Sequence, residues 1–287
     1  IQAIHVPKTV DNDLPITDNC PGFGSVAKYI AVSTREASFD VASMCATSTK
    51  VFVLEVMGRH AGWIAAAGGM ASSEDCDLPI IILFPEVPFN QAKFLREVKA
   101  KVKQYGYVSI VVSEGVADSK GKFLADQGLK DAFGHAQLGG VAPVIANMVR
   151  EKLGYKYHWA VADYLQRSAR HIASQTDVDQ AYALGKAGVE FAIAGENAIM
   201  PCIVRGKGKR YRWSIGKAAL DKVANVEKMM PRSYITRDGF GITEAAREYF
   251  APLIMGEAYP PYRKGLPVYV QLKNELVPRK LKTRFKI

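Results

Sequence analysis

Cysteine is scarce in this chain of 287 residues, and its four cysteines are scattered. Cys20, Cys45, Cys76 and Cys202 have neither CxxC spacing nor histidines at metal-ligand spacing in the sequence. The pattern therefore argues against a disulfide-stapled secreted scaffold and against a cysteine-rich metal site. We expect the protein to be located in the reducing cytoplasm.

Long apolar runs and targeting signals are also lacking. The longest apolar runs, such as residues 78–85, are far shorter than the roughly 20 residues that cross a bilayer as a helix. The first six residues resemble a short strand rather than a signal peptide. The sequence predicts no membrane span, and because it does not begin with methionine we expect it to start inside a longer polypeptide.

Basic residues outnumber acidic ones and give a formal net charge of +10, which suits anionic partners. They cluster only at residues 205–212 and 278–284, and no zinc-finger or RNA-recognition signature accompanies either cluster. We interpret the first cluster as a solvated hairpin turn and the second as a solvated tail. Nucleic-acid binding is thus a distant alternative, and we expect no nucleic-acid partner.

The composition, 48% hydrophobic and 23% charged, is that of a globular protein. Short apolar runs alternate with helical patterns in the first 165 residues, which favours a doubly wound parallel sheet. The predicted strands cover 51–56, 78–84, 107–112 and about 159–165. The predicted helices cover 61–71, a segment from the N-cap Asn90 to Gly106, and about 141–153.

The pattern changes after residue 176. A helix is predicted to about residue 195, and two runs at 198–205 and 211–215 indicate an antiparallel hairpin. A last helix is predicted over 239–255 with Thr243 as its cap, and the proline-rich remainder is predicted to be irregular.

Polar residues follow the predicted strands at the points where ligands bind in open α/β sheets. The segments are Lys8 to Asp13, Met57-Gly58-Arg59, Glu114, and Tyr164 to Arg167. Together they offer carboxylates for hydroxyl groups and cations for phosphate. The set predicts a sugar-phosphate site.

Asp11 and Asp13 stand two residues apart in a predicted loop, where one carboxylate can take a hydroxyl proton while the other orients it or holds a metal. The alternative is an ordinary turn or a fragment of a calcium loop. Lys8 and Thr9 favour the first interpretation, because a cation and a hydroxyl complete a phosphate-handling set.

The other polar residues also have structural alternatives. Arg59 follows a glycine before a predicted helix, which suits an anion but also a surface turn. Glu114 could be a buried paired carboxylate, Arg167 a salt-bridge former, and Tyr164 a core residue.

The motifs resemble those of the phosphofructokinase superfamily, in the same order. They are Pro7-Lys-Thr-Val-Asp-Asn-Asp-Leu14, Met57-Gly-Arg-His-Ala-Gly-Trp63, Pro85-Glu-Val-Pro-Phe89, Glu114-Gly115, Tyr164-Leu-Gln-Arg167, Gly239-Phe-Gly-Ile-Thr-Glu244 and Tyr259-Pro-Pro-Tyr262. The resemblance implies two doubly wound, Rossmann-like domains, the first of them incomplete in this chain. The donor domain would retain residues 1–22 and 166–225, and the fructose-6-phosphate domain would comprise 23–165 and 226–287.

The resemblance also implies roles for the site residues. Asp11 would be the base that deprotonates the 1-hydroxyl of fructose 6-phosphate, in an in-line phosphoryl transfer that uses Mg²⁺. Asp13 would support the metal only indirectly, since the Gly-Gly-Asp segment that holds it lies upstream. The implied catalytic residues are Asp11, Lys8, Asp13 and Arg59, and the implied substrate-binding residues are Thr9, Val10, Asp11, Met57, Gly58, Arg59, Glu114, Tyr164, Leu165, Gln166, Arg167, Lys50 and His158.

Lys8 bears on the phosphoryl donor. A lysine here is characteristic of diphosphate-dependent members, whereas the best-known bacterial ATP enzymes carry glycine, although some ATP-dependent relatives share the lysine. The ATP-dependent enzyme and a non-catalytic regulatory subunit stay open as alternatives. Lys50 and His158 fall where relatives carry arginines that reach a neighbouring subunit's site, so we expect a homodimer or homotetramer. We also expect the missing N-terminal segment to be a partner, without which the chain is inactive.

Overall fold

The computed structural model describes residues 1–125, 140–208 and 210–280. Short 3₁₀ segments follow several elements, for example at Gly68–Ala71 and Ala251–Ile254. The helices in the described ranges are α1 Phe23–Met44, α2 Trp63–Ala67, α3 Gln91–Tyr105, α4 Val141–Leu153, α5 Asp163–Ser168, α6 Gln175–Ile193 and α7 Glu244–Phe250. The strands there are β1 Val51–Val56, β2 Ile80–Leu83, β3 Val108–Ser113, β4 Tyr157–Val161, β5 Ile199–Arg205, β6 Trp213–Ala219, β7 Tyr262–Arg263 and β8 Leu266–Pro267.

A four-stranded parallel sheet in the order β2-β3-β1-β4 forms the centre of the fold. Val51 pairs with Val108 on one side and with Tyr157 on the other, so the carboxyl ends of three strands lie together at one edge. β1 and β3 are buried on both faces, which is why their sequences are continuous apolar runs rather than alternating ones. The predicted parallel α/β sheet is confirmed.

Two hydrophobic clusters cover the faces of this sheet. One cluster packs α1, α2 and α7 against Leu54, Val56 and Val111. The other packs α3 and α4 against Val51, Val53 and Ile110. Successive strand residues point to opposite faces, so alternate residues of β1 enter different clusters. This layered arrangement fixes the strand ends from which the site is built.

Helix ends follow local signals that the sequence carries. The Asn90 side chain accepts a hydrogen bond from the Lys93 amide at 2.9 Å, and so caps α3. Gly106, at φ 86°, ends the same helix in the left-handed conformation that glycine adopts at little cost. Gly154, at φ 71°, ends α4 in the same way. These predicted helix boundaries are confirmed.

The predicted hairpin is also confirmed, with β5 and β6 antiparallel and the basic cluster at their connection. Lys209 in that connection, residues 281–287 of the basic tail, and residue 139 of the predicted glycine pair before α4 lie outside the described residues. The strand predicted at residues 1–6 was wrong, because only Ile4 forms a bridge, parallel to Ile199, and one bridge does not make a ladder.

Three other boundaries differ from the sequence prediction. β4 ends at Val161, and Asp163 to Ser168 form a short helix, because the Leu165 amide turns back to the Ala162 carbonyl. Thr243 occupies the N-cap of α7, but its hydroxyl donates to the Ser233 carbonyl at 2.8 Å instead of capping the helix. The long helix α1, which the sequence patterns did not indicate, spans Phe23–Met44.

All four cysteines are free thiols. Burial raises the pKa of the Cys20 thiol to about 11, which keeps it protonated at neutral pH. Within the described ranges, every helix is too short or too polar to pass through a bilayer.

Candidate active site

The loop Thr9–Asp13 carries the predicted base and is held by its own side chains. The Thr9 hydroxyl accepts a hydrogen bond from the Asp11 amide at 3.1 Å and donates to the Asp11 carboxylate at 3.3 Å. Asn12 is fully buried at φ 60°, a left-handed conformation that asparagine tolerates better than most residues. The Asn12 side chain points away from the site, so the aspartates on either side of it face outward from a fixed turn.

The electrostatics of Asp11 suit a general base. Burial raises the pKa of its carboxyl group, and the negative charge of Asp13 raises it further. The Thr9 hydrogen bond and the positive charges of Lys8 and Arg167 act in the opposite direction on this pKa. Asp11 therefore lies within electrostatic range of both cations, one from its own loop and one from α5.

The turn after β1 is the second part of the site. The Met57 amide donates to the Gln166 side-chain oxygen, and the Gly58 amide donates to a Glu114 carboxylate oxygen, each at 3.3 Å. Gly58 has φ 124°, and an added Cβ would lie 2.7 Å from the Ala61 carbonyl oxygen. Only glycine fits there. The turn is thus tied to the ends of β3 and β4.

Glu114 links this turn to the aspartate loop. Burial raises the pKa of its carboxyl group, whereas the Gly58 hydrogen bond and the Arg59 charge lower it. The charge of Asp11 raises the same pKa. Asp11 therefore lies within electrostatic range of Glu114, and the structure brings Lys8, Asp11, Arg59, Glu114 and Arg167 to one region.

The α5 residues differ in exposure. Tyr164 and Leu165 are exposed, and the Arg167 guanidinium lies 4.2 Å from the centroid of the Tyr164 ring. Gln166 is buried. Its side-chain oxygen accepts from the Met57 amide, and its side-chain nitrogen donates to the Asp163 carbonyl at 2.9 Å. Gln166 consequently holds the Met57 turn, and its neighbours carry the surfaces available to a ligand.

Two predicted substrate-binding residues lie elsewhere in this chain. Lys50 precedes β1, and its ammonium group donates to the Cys45 carbonyl. His158 is exposed on β4, in register with Phe52. Because a strand rises about 3.3 Å per residue, Lys50 lies roughly 20 Å from the Met57 turn. The structure does not bring these two residues to the site of their own chain.

Sequence reasoning missed two residues that organise the site. Glu55 on β1 accepts hydrogen bonds from the Gly140 and Ala142 amides at 3.0 and 2.8 Å, which caps α4. A glutamate inside an apolar strand was a usable signal for this role. Lys228 contacts the aspartate loop, but a lone lysine in an irregular segment gave no signal.

Metal-binding capacity is limited in the described residues. They contain no group of three or more histidine, cysteine or acidic side chains that could hold a metal ion. Asp11 and Asp13 supply carboxylate oxygens, the type that Mg²⁺ prefers, and Mg²⁺ usually binds one or two carboxylates together with waters and phosphate oxygens. The pair fits a partial site that a phosphate ligand would complete.

The fold and the site together define a class of protein. A parallel α/β sheet with carboxylates, cations and a glycine turn at its strand ends is typical of enzymes that handle phosphorylated small molecules. A sequence profile described as Phosphofructokinase matches residues 1–191. The chain belongs to the phosphofructokinase family.

Individual relatives agree with this assignment. A pyrophosphate–fructose 6-phosphate 1-phosphotransferase of Methylococcus capsulatus is 67% identical over the whole chain, which covers 68% of that protein. The crystal structure of a pyrophosphate-dependent phosphofructokinase from Nitrosospira multiformis is 67% identical, with a TM-score of 0.90 over 98% of this chain and 67% of the other. A second structure under that name, from Marinobacter aquaeolei, is 60% identical, with a TM-score of 0.90 over 100% and 69% of the respective chains.

Proposed function

We propose that the chain transfers a phosphoryl group between diphosphate and the 1-hydroxyl of fructose 6-phosphate, giving fructose 1,6-bisphosphate. The reaction is reversible, since the phosphoanhydride and ester ends lie close in energy. The observation that carries the proposal is the environment of Asp11, a partly buried carboxylate within electrostatic range of two cations, on a loop fixed by Thr9. The names of the most similar relatives support diphosphate as the donor.

Each site residue has a role in this reaction. Asp11 takes the proton of the 1-hydroxyl, and Lys8 stabilises charge on the transferred group, with Thr9 beside it. Met57, Gly58 and Arg59 bind the sugar phosphate with Glu114, while Tyr164, Leu165 and Arg167 face its 6-phosphate. Positioning and charge neutralisation account for most of the catalysis.

Mg²⁺ is the proposed cofactor. It neutralises charge on the phosphoryl oxygens when it is bound. Asp13 would support its site indirectly, and the ligands would come from diphosphate, water and a segment preceding residue 1. We propose that residues 1–22 and 166–225 belong to the donor domain that this segment completes, and that residues 23–165 and 226–287 form the sugar-phosphate domain.

The experiment measures turnover of the complete polypeptide with diphosphate or ATP as donor, in the wild type and in Asp11→Asn. We expect turnover with diphosphate and a fall of several orders of magnitude in the variant, more than the ~10² to 10⁴ of proton transfer alone. Asp40→Asn, which neutralises an exposed carboxylate on α1, is the control. Turnover with ATP but not with diphosphate would make ATP the donor. Near-normal activity of Asp11→Asn would show that Asp11 is not the base.

A further inference from the structure

The Lys228 ammonium group is bound by the aspartate loop, residues 9–13, and by the segment that follows it. The Lys228 ammonium lies 3.0 Å from the Asp18 carbonyl, 3.1 Å from the Thr17 carbonyl and 3.4 Å from the Asn12 side-chain oxygen. Three acceptors use the three donors of an ammonium group. Lys228 therefore acts on the loop and has no donor left for a substrate phosphate.

The backbone of Lys228 joins the aspartate loop to α2, the helix that follows the Met57 turn. The Lys228 amide donates to the Asp13 carbonyl at 2.6 Å, and the Trp63 indole donates to the Lys228 carbonyl at 2.9 Å. The Lys228 ammonium also lies 5.4 Å from the centroid of the Trp63 ring, within cation–π range. Trp63 begins α2, four residues after Arg59, so one residue connects the two halves of the site.

A buried tyrosine completes this connection. The Tyr249 hydroxyl accepts a hydrogen bond from the Asn12 side chain at 2.9 Å and donates to the Asp18 carbonyl at 2.7 Å. The ring of Tyr249 packs against Trp63, with 5.2 Å between centroids. Asn12 thus has its side chain bound by Tyr249, by Lys228 and by the Cys20 amide, which donates to its oxygen at 3.0 Å, while its backbone holds a left-handed turn between Asp11 and Asp13.

We propose that Lys228 and Tyr249 are positioning residues that set the Asp11 carboxylate relative to the bound sugar hydroxyl. The proposal rests on the function proposed above. The groups assigned to sugar-phosphate binding stand on other elements, chiefly the Met57 turn and α5. Loosening the loop therefore misplaces the base with little change in affinity for the sugar phosphate.

The test compares Lys228→Met with wild type in the complete polypeptide, since methionine keeps much of the apolar stem and removes the charge. Because a misplacement of about 1 Å can cost about 10²-fold in rate, we expect kcat to fall between roughly tenfold and a hundredfold. KM for fructose 6-phosphate should stay within about twofold.

Tyr249→Phe and Tyr234→Phe form a matched pair. Tyr234 packs against the same Trp63 and Tyr249 rings, but its hydroxyl takes no part in the bonds described above. We expect Tyr249→Phe to lower kcat by roughly threefold to tenfold while KM for fructose 6-phosphate stays within about twofold, and Tyr234→Phe to leave both unchanged. If Lys228→Met does not fold, Tyr249→Phe alone tests the proposal.

If the wild type is active and the kcat of each variant stays within about twofold of the wild-type value, the proposal is overturned. It is equally overturned if the variants lose thermal stability together with both kcat and affinity for fructose 6-phosphate, since that describes a purely structural role. Wild-type turnover with diphosphate is measured in the same series, and it tests the proposed function separately from the positioning roles.

Discussion

Single residues set the chemistry of the Thr9–Asp13 loop through their charges. Asp11 lies within electrostatic range of two like charges, Asp13 and Glu114, and of the cations Lys8 and Arg167. Burial is the largest influence on its pKa and raises it, so the carboxyl group holds its proton to a higher pH than a free aspartate does. A base must be ionised, and the proposed reaction therefore slows as the pH falls through this raised pKa.

The neighbouring charges predict opposite shifts of the acid limb, the part of the pH profile in which the rate falls as the pH falls. Asp13→Asn removes a charge that raises the pKa of Asp11, so the limb should move to lower pH. Lys8→Met removes a charge that lowers it, so the limb should move to higher pH. The measurement is the midpoint of the acid limb of kcat, which is independent of the height of each profile.

Lys152→Met, at an exposed position in the last turn of α4, serves as the control and should leave the midpoint unchanged. High salt should shrink both shifts because it screens the charges. Shifts of equal sign in Asp13→Asn and Lys8→Met would contradict the assignment of the limb to Asp11.

Helix α1 shows how one element is stabilised by another. Its N-cap is Gly22, which has no side chain to cap the first amides. Asp177, in the first turn of α6, supplies the acceptors: its carboxylate bonds to the Gly22 and Ser25 amides at 2.8 and 3.1 Å and to the Ser25 hydroxyl at 2.5 Å. A carboxylate here also suits the positive end of the α1 dipole. A side chain distant in sequence thus caps the longest helix.

Asp177→Ala should destabilise the protein by about 2 kcal/mol or more, because it removes a cap and leaves buried donors unpaired. The measurement is the free energy of unfolding from denaturant titration. Asp179→Ala, two residues along the same helix, removes only an exposed bond from Gln175 and should cost a few tenths of a kcal/mol. Equal costs for the two variants would argue against the capping role.

At the scale of the whole molecule, Lys50 and His158 bear on whether the site is shared between copies of the chain. Lys50 and His158 lie far along the sheet from the Met57 turn, on strands whose carboxyl ends carry the site. This distance favours a contact with the site of a second copy of the chain over one with the site of their own chain. In the dimer or tetramer that we propose, these residues would lie in a neighbour's site, with Lys156 beside Lys50 in the register.

Mixed assemblies test this arrangement. Lys50→Glu damages the neighbour's site, whereas Asp11→Asn damages its own, so a hybrid dimer of the two inactive proteins contains one intact site. Random reassembly from equal amounts should recover about a quarter of wild-type activity in a two-fold symmetric dimer. Turnover after refolding together, compared with each variant refolded alone, is the measurement.

Asp11→Asn mixed with Glu114→Gln is the matched control, because both changes fall in the same copy's half of the site and no hybrid site is intact. Recovery in that mixture, or none with Lys50→Glu, would place Lys50 outside a shared site.

The sequence by itself determined the parallel sheet, the hairpin and the boundaries of α3 and α4, because apolar runs, Asn90, Gly106 and Gly154 act through local physics. It also indicated the polar residues at the strand ends, since chain direction alone places them at one edge of a parallel sheet. Only the tertiary structure decided how Gln166 and Glu114 hold the Met57 turn, and how Lys228 and Tyr249 hold Asn12. Those contacts join residues up to 237 positions apart, and no local pattern encodes such pairings.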